Sequence, residues 1–259
     1  MIHALSLVAG NGVGFYQFPR LRTVAGLRHA VFTRRGGNSE GPYQGLNVSY
    51  SVGDDPRSVQ ENRSLIATAL GLEKVHSLKQ VHGREAVVIS EQEAVPSFHP
   101  ETRSGDILMT RMPGQGLMIK QADCQAVILY DPEERALALV HCGWRGNVAD
   151  VLGEAVRKMN EVFGSDPARL FAAIGPSLGP CCAEFIHYRR EFPPSFWSYQ
   201  VRPHYFDLWR LSRDQLIAAG VRKERIETAG LCTSCRTDLF FSYRKEKITG
   251  RFATVAALT

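Results

Sequence analysis

Residues 122–146 read ADCQAVILYDPEERALALVHCGWRG. Two apolar runs, residues 125–131 and 136–142, flank the turn signal DPEER, a pattern that predicts an antiparallel hairpin. Such pairing brings the residue before the first strand close to the residue that ends the second, so Cys124 and His141 become neighbours. His141 also precedes GWRG, a turn leading into a helical pattern, and binding groups gather at strand ends of this kind. A reactive pair is one reading; a buried thiol beside a satisfied histidine is the other. The hairpin by itself leaves both open.

Further strand-like runs, EAVVIS, GLMIKQ and ITGRFATVAAL, lie on either side of this segment. GDDPRSVQENRSLIATALG predicts a helix capped by Asp54 or Asp55, with Pro56 in the first turn, Val59, Leu65, Ile66, Ala69 and Leu70 as its apolar stripe, and Gly71 as the stop. A second helix is expected from the spacing of Val148, Val151, Leu152, Ala155, Val156, Met159, Val162 and Phe163, ending at Gly164. SRDQLIAAG supplies a third. No repeat and no Ser/Gly- or Pro-rich linker divides the chain. The expectation is an α/β (α+β) protein, one domain over residues 1–259, with a central mixed sheet flanked by helices. The first 30 residues carry the weakest pattern.

The chain has 259 residues, 44% of them apolar, enough for a sizeable core. Its 31 basic and 26 acidic residues give a net charge of +5. The charges are dispersed, with no run resembling a nucleic-acid arm or a membrane patch. Mild basicity suits an anionic small ligand. MIHALSLVAGNGVGFYQFPRL lacks the positive start and continuous apolar stretch of a secretion signal, and no later segment approaches a membrane span, so a cytoplasmic protein is expected. The six cysteines, at 124, 142, 181, 182, 232 and 235, then read as thiols.

His82, in KQVHGREAVVI, stands at another junction of loop and strand. With Cys124 and His141 it makes a set of two His and one Cys, which suits a zinc site with an open fourth position. Cys232 and Cys235 form a lone CxxC and read as structural thiols; Cys181 and Cys182 are adjacent and poorly spaced to chelate one ion together. GNGVG lacks the Lys-Ser/Thr of a phosphate loop. Arg34, Arg35, Arg145, Arg244 and Arg251 all lie in turn motifs, where a guanidinium can hold phosphate or carboxylate.

In order, FTRRGGNSEGPYQGLN, VGDDPRSVQENR, KQVHG, ADC, HCGWRG, IGPSLGPCC and CTSCRTDLFFSYRKEKITGRFA resemble the laccase-domain family, YfiH-like proteins described as polyphenol oxidases and as purine nucleoside phosphorylases. The resemblance runs from about residue 30 to the C-terminus; Ala126, Ala183 and Gly105 depart from its usual residues. It implies a fold related to the deamidase domain of cytotoxic necrotizing toxins, in which a Cys-His pair is catalytic. His82, Cys124 and His141 are implied as metal ligands and catalytic residues, with Arg34, Asn47 and Arg145 contacting substrate. Implied too are phosphorolysis of adenosine, inosine and methylthioadenosine, adenosine deamination, and Zn2+ with Cu2+ as the alternative metal. The expected partners are a purine nucleoside and phosphate, with neither nucleic acid nor membrane, and the chain a monomer or small homo-oligomer. Two alternatives compete. One is a cysteine hydrolase or amidase using Cys124 and His141 on a peptidoglycan precursor. The other is a copper polyphenol oxidase, against which stands the absence of any His-x-His among eight histidines.

Overall fold

The hairpin forms in the expected register, with Asp131 opposite Ala136, Val127 opposite Val140 and Ala126 opposite His141. Its turn closes because the Asp131 carboxylate accepts the Glu133 and Glu134 N–H groups, while Arg135 takes a left-handed φ of 47°. Every residue of both strands is buried, so the hairpin must be covered on both faces. The computed structural model, which describes residues 6–10, 12–90 and 101–259, shows what covers it.

The hairpin lies at the centre of a mixed six-stranded sheet, in the order Ile226–Thr228, Phe171–Ile174, Gln125–Asp131, Ala136–Cys142, Ile107–Thr110, Ala86–Ile89. Residues alternate between the faces as the two-residue strand period requires. Val127, Leu129 and Val140 pack with Val156 and Met159 of the helix Val151–Phe163. Ala126, Ile128 and Leu139 pack with Val31, Leu117, Ile119 and Phe252 of a second six-stranded sheet. That sheet runs Ser6–Gly10, Val13–Gln17, Leu27–Phe32, Phe252–Leu258, Gln115–Gln121, Lys74–His76. Its far face, with Phe32, Met118 and Val255, receives Ile66 and Leu70 of the helix Pro56–Leu70. The layers are therefore helix, sheet, sheet, helix. The fold is mixed α/β, and its β layer is two sheets face to face where one had been expected. A large-to-small change such as Leu139→Ala at the shared interface should cost about 2–5 kcal/mol.

The helix Pro56–Leu70 follows its sequence signals: Asp55 caps it by accepting the Arg57 N–H, and Gly71 closes it at φ 59°. The expected helix from Val148 to Phe163 is instead two, Trp144–Val148 and Val151–Phe163. Asp150 breaks it, adopting a left-handed φ of 53° and capping the second piece through Gly153 N–H. Val148, in the shorter piece, and Val162, both assigned to the apolar stripe, are exposed. Around GNGVG, Asn11 lies outside the described residues, and Gly10 pairs with Val13 across a hairpin. Among the described residues, no helix is long and apolar enough to cross a membrane.

Candidate metal centre and active site

Three remote segments converge at one end of the central hairpin. Cys124 immediately precedes the strand Gln125–Asp131, after Asp123 at φ 88°; His141 is the penultimate residue of the strand Ala136–Cys142; His82 sits in a turn at φ 61°. Non-glycine residues seldom occupy the left-handed region, and here two of them do so beside the candidate ligands. The ligand atoms of His82, Cys124 and His141 lie within 4.8 Å of one another. Cys124 Sγ is 3.9 Å from His82 Nε2, and the two imidazole rings meet edge to face at 4.8 Å between centroids. Tetrahedral zinc, with bonds of about 2.3 Å to sulfur and about 2.1 Å to nitrogen, places such donors about 3.6 Å apart. The set fits one ion with an open fourth position.

Asp106, fully buried, holds this arrangement together. Its Oδ1 accepts from His141 Nδ1 at 2.7 Å and from the His82 N–H at 3.0 Å. Its Oδ2 accepts from the Gly83 N–H at 2.7 Å and the Val81 N–H at 3.3 Å. One carboxylate thus fixes the strained His82 turn and turns the His141 ring so that Nε2 faces the cluster, the usual outer support of a metal-bound histidine. A single Asp before a strand gives no sequence signal of this role. Gly143 is required for space: a Cβ there would lie 2.9 Å from Cys124 Sγ and 3.2 Å from His82 Cδ2.

The electrostatics couple the pair foreseen in the hairpin. Burial raises the Cys124 thiol, but the adjacent His141 and His82 outweigh it and bring the thiol well below its ordinary value. Burial lowers His141, but Cys124 and Asp106 outweigh it and raise the imidazole. The two shifts run in opposite directions and both favour the charged forms of the pair, thiolate and imidazolium.

The cluster stands where two cavities meet. The larger, about 710 Å³, is lined by Ser49, Ser51, Lys79, Glu101, Lys120 and Arg251 together with the three cluster residues. The smaller, about 270 Å³, shares His82, Cys124 and Tyr243 and adds Trp144, Arg145, Phe185 and Leu208. In the larger cavity Lys120 Nζ donates to Glu101 at 2.6 Å, and Arg63 pairs with the same carboxylate at 2.5 Å. Burial raises Glu101, but Lys120 and Arg63 overcome it and hold the carboxyl at about 2.

The three residues expected to contact substrate separate. Arg145 is exposed, stacks on Trp144 at 4.2 Å and lines the smaller cavity. Arg34 and Asn47 line neither. The Arg34 Nη1 pairs with Glu246 at 2.7 Å and donates to the Thr237 carbonyl, and the guanidinium lies over Phe241, contacts that hold it within the protein. Asn47, fully buried, accepts from the Ser49 and Arg251 N–H groups and donates to Asp54. It shapes the backbone that presents Ser49 and Arg251. Asp123 is likewise committed, accepting from Thr233 Oγ1, Ser242 Oγ and the Arg244 N–H. Lys79, Lys120 and Glu101, which no sequence motif singles out, line the larger cavity.

Comparison with known proteins agrees with this architecture. Residues 28–259 match the family model described as multi-copper polyphenol oxidoreductase laccase. A purine nucleoside phosphorylase of Deinococcus radiodurans is 36% identical over 239 residues, 89% of this chain and 88% of its own. One of Bacteroides thetaiotaomicron is 32% identical over 242 residues, 88% and 90% of the two chains. The crystal structure of YlmD from Geobacillus stearothermophilus superposes with a TM-score of 0.88 at 29% identity, covering 99% of each chain. With its match spanning the cluster, both sheets and both cavities, the chain belongs to the YfiH-like, multi-copper polyphenol oxidoreductase laccase family.

Proposed function

We propose that this chain is a zinc-dependent purine nucleoside phosphorylase acting on adenosine, inosine and methylthioadenosine, with adenosine deamination as a further activity. The observation that carries the reading is the His82, Cys124 and His141 set at the foot of a cavity of about 710 Å³ whose wall bears Lys79, Arg251, Ser49 and Ser51. That volume lies within the range of small-molecule sites, roughly 300–1,000 Å³. The names borne by the relatives point the same way. One Cys and two His with no need for redox change favour Zn2+, with Cu2+ the alternative. When bound, the ion supplies Lewis-acid charge that holds an anionic or polarised oxygen.

The protein's own residues do the rest. Lys79 and Arg251, aided by the Ser49 and Ser51 hydroxyls, hold hydrogen phosphate for attack on the anomeric carbon; the C–O bond forms as the glycosidic C–N bond breaks, and the purine leaves with the proton that the phosphate gives up. Asp106 keeps the Nδ1 proton on His141, which leaves Nε2 as the lone-pair face. Trp144 and Phe185, in the smaller cavity, offer aromatic surface to the purine. Deamination is a different attack: water would add to the purine carbon that bears the amine and ammonia would leave, so the base and not the anomeric carbon would face the cluster.

Incubating the purified, zinc-loaded chain with adenosine should release adenine in the presence of phosphate and inosine in its absence. The absence of both products from a zinc-replete preparation overturns the proposal.

A second reading has one observation in its favour: Cys124, His141 and Asp106 stand in the order of a nucleophile, base and orienting carboxylate, with the thiol already lowered. A cysteine amidase would have its Cys124 alkylated by iodoacetamide at equal rates with and without zinc. A metal ligand would be protected until a chelator is added.

A further inference from the structure

A second group of metal-ligating residues is made of four cysteines, none of which lines either cavity. Cys181 and Cys182 are on one loop and Cys232 and Cys235 on another, and their four sulfur atoms lie within 4.8 Å of one another. Cys235 Sγ is 3.5 Å from Cys181 Sγ and 3.6 Å from Cys182 Sγ. A disulfide would bring a pair to about 2.05 Å. All four are free thiols. Sulfurs around one tetrahedral zinc, at bonds of about 2.3 Å, stand about 3.8 Å apart. The adjacency that argued against chelation in the sequence is resolved by the second loop, which supplies the missing pair.

The surroundings are those of a bound thiolate group. The Gly179 N–H donates to Cys232 Sγ at 3.3 Å, a bond that stabilises negative sulfur. Arg202 donates to the Cys181 carbonyl at 2.9 Å, and Arg244 donates to the carbonyls of Cys182 and Glu184. Four thiolates on a divalent ion leave two net negative charges, and both guanidinium groups are bonded to the backbone of the loop that carries Cys181 and Cys182. The loops are held side by side by backbone bonds, Ser177 N–H to Leu231 O and Thr233 N–H to Ser177 O.

We propose that Cys181, Cys182, Cys232 and Cys235 form a structural tetrathiolate site for a single Zn2+ ion. The four thiols lose their protons on binding. Its role is to lock together the two loops that fix the approach to Cys124. From one loop the Leu178 N–H donates to the Asp123 carbonyl at 2.8 Å; from the other Thr233 Oγ1 donates to the Asp123 carboxylate at 2.7 Å. Asp123 is held in its left-handed conformation from both sides, directly before Cys124.

The test uses the full chain purified under reducing conditions. A His82→Ala/His141→Ala variant, deprived of the first site, should retain one zinc per chain. Cobalt in its place should give the thiolate-to-metal charge transfer and intense visible bands of a four-sulfur tetrahedral centre. Cys181→Ser/Cys235→Ser should lose those bands. Should these variants fail to fold, differential alkylation of the wild-type chain decides: zinc should protect all four cysteines, and a chelator should expose them together. A folded double-histidine variant without metal, or wild-type cysteines that alkylate equally with and without zinc, overturns the proposal. So does a disulfide among the four under reducing conditions.

Discussion

Replacing Asp106 by Asn keeps the size of the side chain and removes what matters about it. Both carboxylate oxygens accept: Oδ1 from His141 Nδ1 and the His82 N–H, Oδ2 from the Gly83 and Val81 N–H groups. Asn has a single acceptor, so in either rotamer its NH2 faces two donors. If the carbonyl stays with His141, the Gly83 N–H loses its 2.7 Å bond and the strained His82 turn loosens; if it stays with Gly83, the His141 ring loses its orientation. A hydrogen bond to a charged group contributes about 1.5–3 kcal/mol, and one weak and one strong bond are lost in the better rotamer, so the folded state should lose about 2–4 kcal/mol. Outer support of a metal ligand is worth about 10–100-fold in metal affinity, or about 1.4–2.7 kcal/mol. Zinc affinity, measured by competition with a chromophoric chelator, should fall by about that factor, and phosphorolysis at limiting zinc should fall with it. Excess zinc should recover part of the lost melting temperature, since the ion binds the native state preferentially. Wild-type zinc affinity in a folded Asp106→Asn chain would refute the reasoning.

Three further outcomes can be checked. Gly143→Ala leaves the backbone unstrained at φ −84°, yet its Cβ would press on Cys124 Sγ and His82; stability should drop by about 1–3 kcal/mol and zinc affinity with it, read by calorimetry and chelator competition. Arg34→Ala should lower the melting temperature and leave the KM for phosphate unchanged, whereas Lys79→Ala should raise that KM about tenfold, a loss of about 1.4 kcal/mol, with little change in melting. Glu101, held at about 2 by Lys120 and Arg63 and almost fully buried, stabilises the native state above the ordinary carboxylate range. That contribution, about 3 kcal/mol, should be present at neutral pH and vanish as pH falls from about 4.5 to 2. Glu101→Gln, followed by chemical denaturation across that window, should flatten the dependence.

How much was legible varied with how local each feature was. The hairpin of residues 125–131 and 136–142 was readable to the residue, because apolar runs and turn chemistry are properties of neighbours in sequence. The helix Pro56–Leu70 was readable for the same reason, with its first-turn proline inside it and its cap Asp55 and stop Gly71 directly beside it. The break at Asp150 was not, since the spacing of Val148 continues the helical period and only the Asp150 cap on Gly153 ends it. Arg34 shows the limit of reading a residue type: a guanidinium in a turn signals anion binding until Glu246, far along the chain, takes it up.

What the sequence alone determined is the central hairpin, the strand segments around Ala86–Ile89, Gln115–Gln121 and Phe252–Leu258, the helix Pro56–Leu70, the nearness of Cys124 to His141, and, through motif order, the family. Only the tertiary structure decided that two sheets stack between helices, that Asp106 joins His82 to His141, and that Cys181, Cys182, Cys232 and Cys235 share one point in space. The physical reason is distance along the chain. Periodicity and capping act over a few residues, whereas these contacts close loops of tens of residues and are specified only by the packing of the whole core.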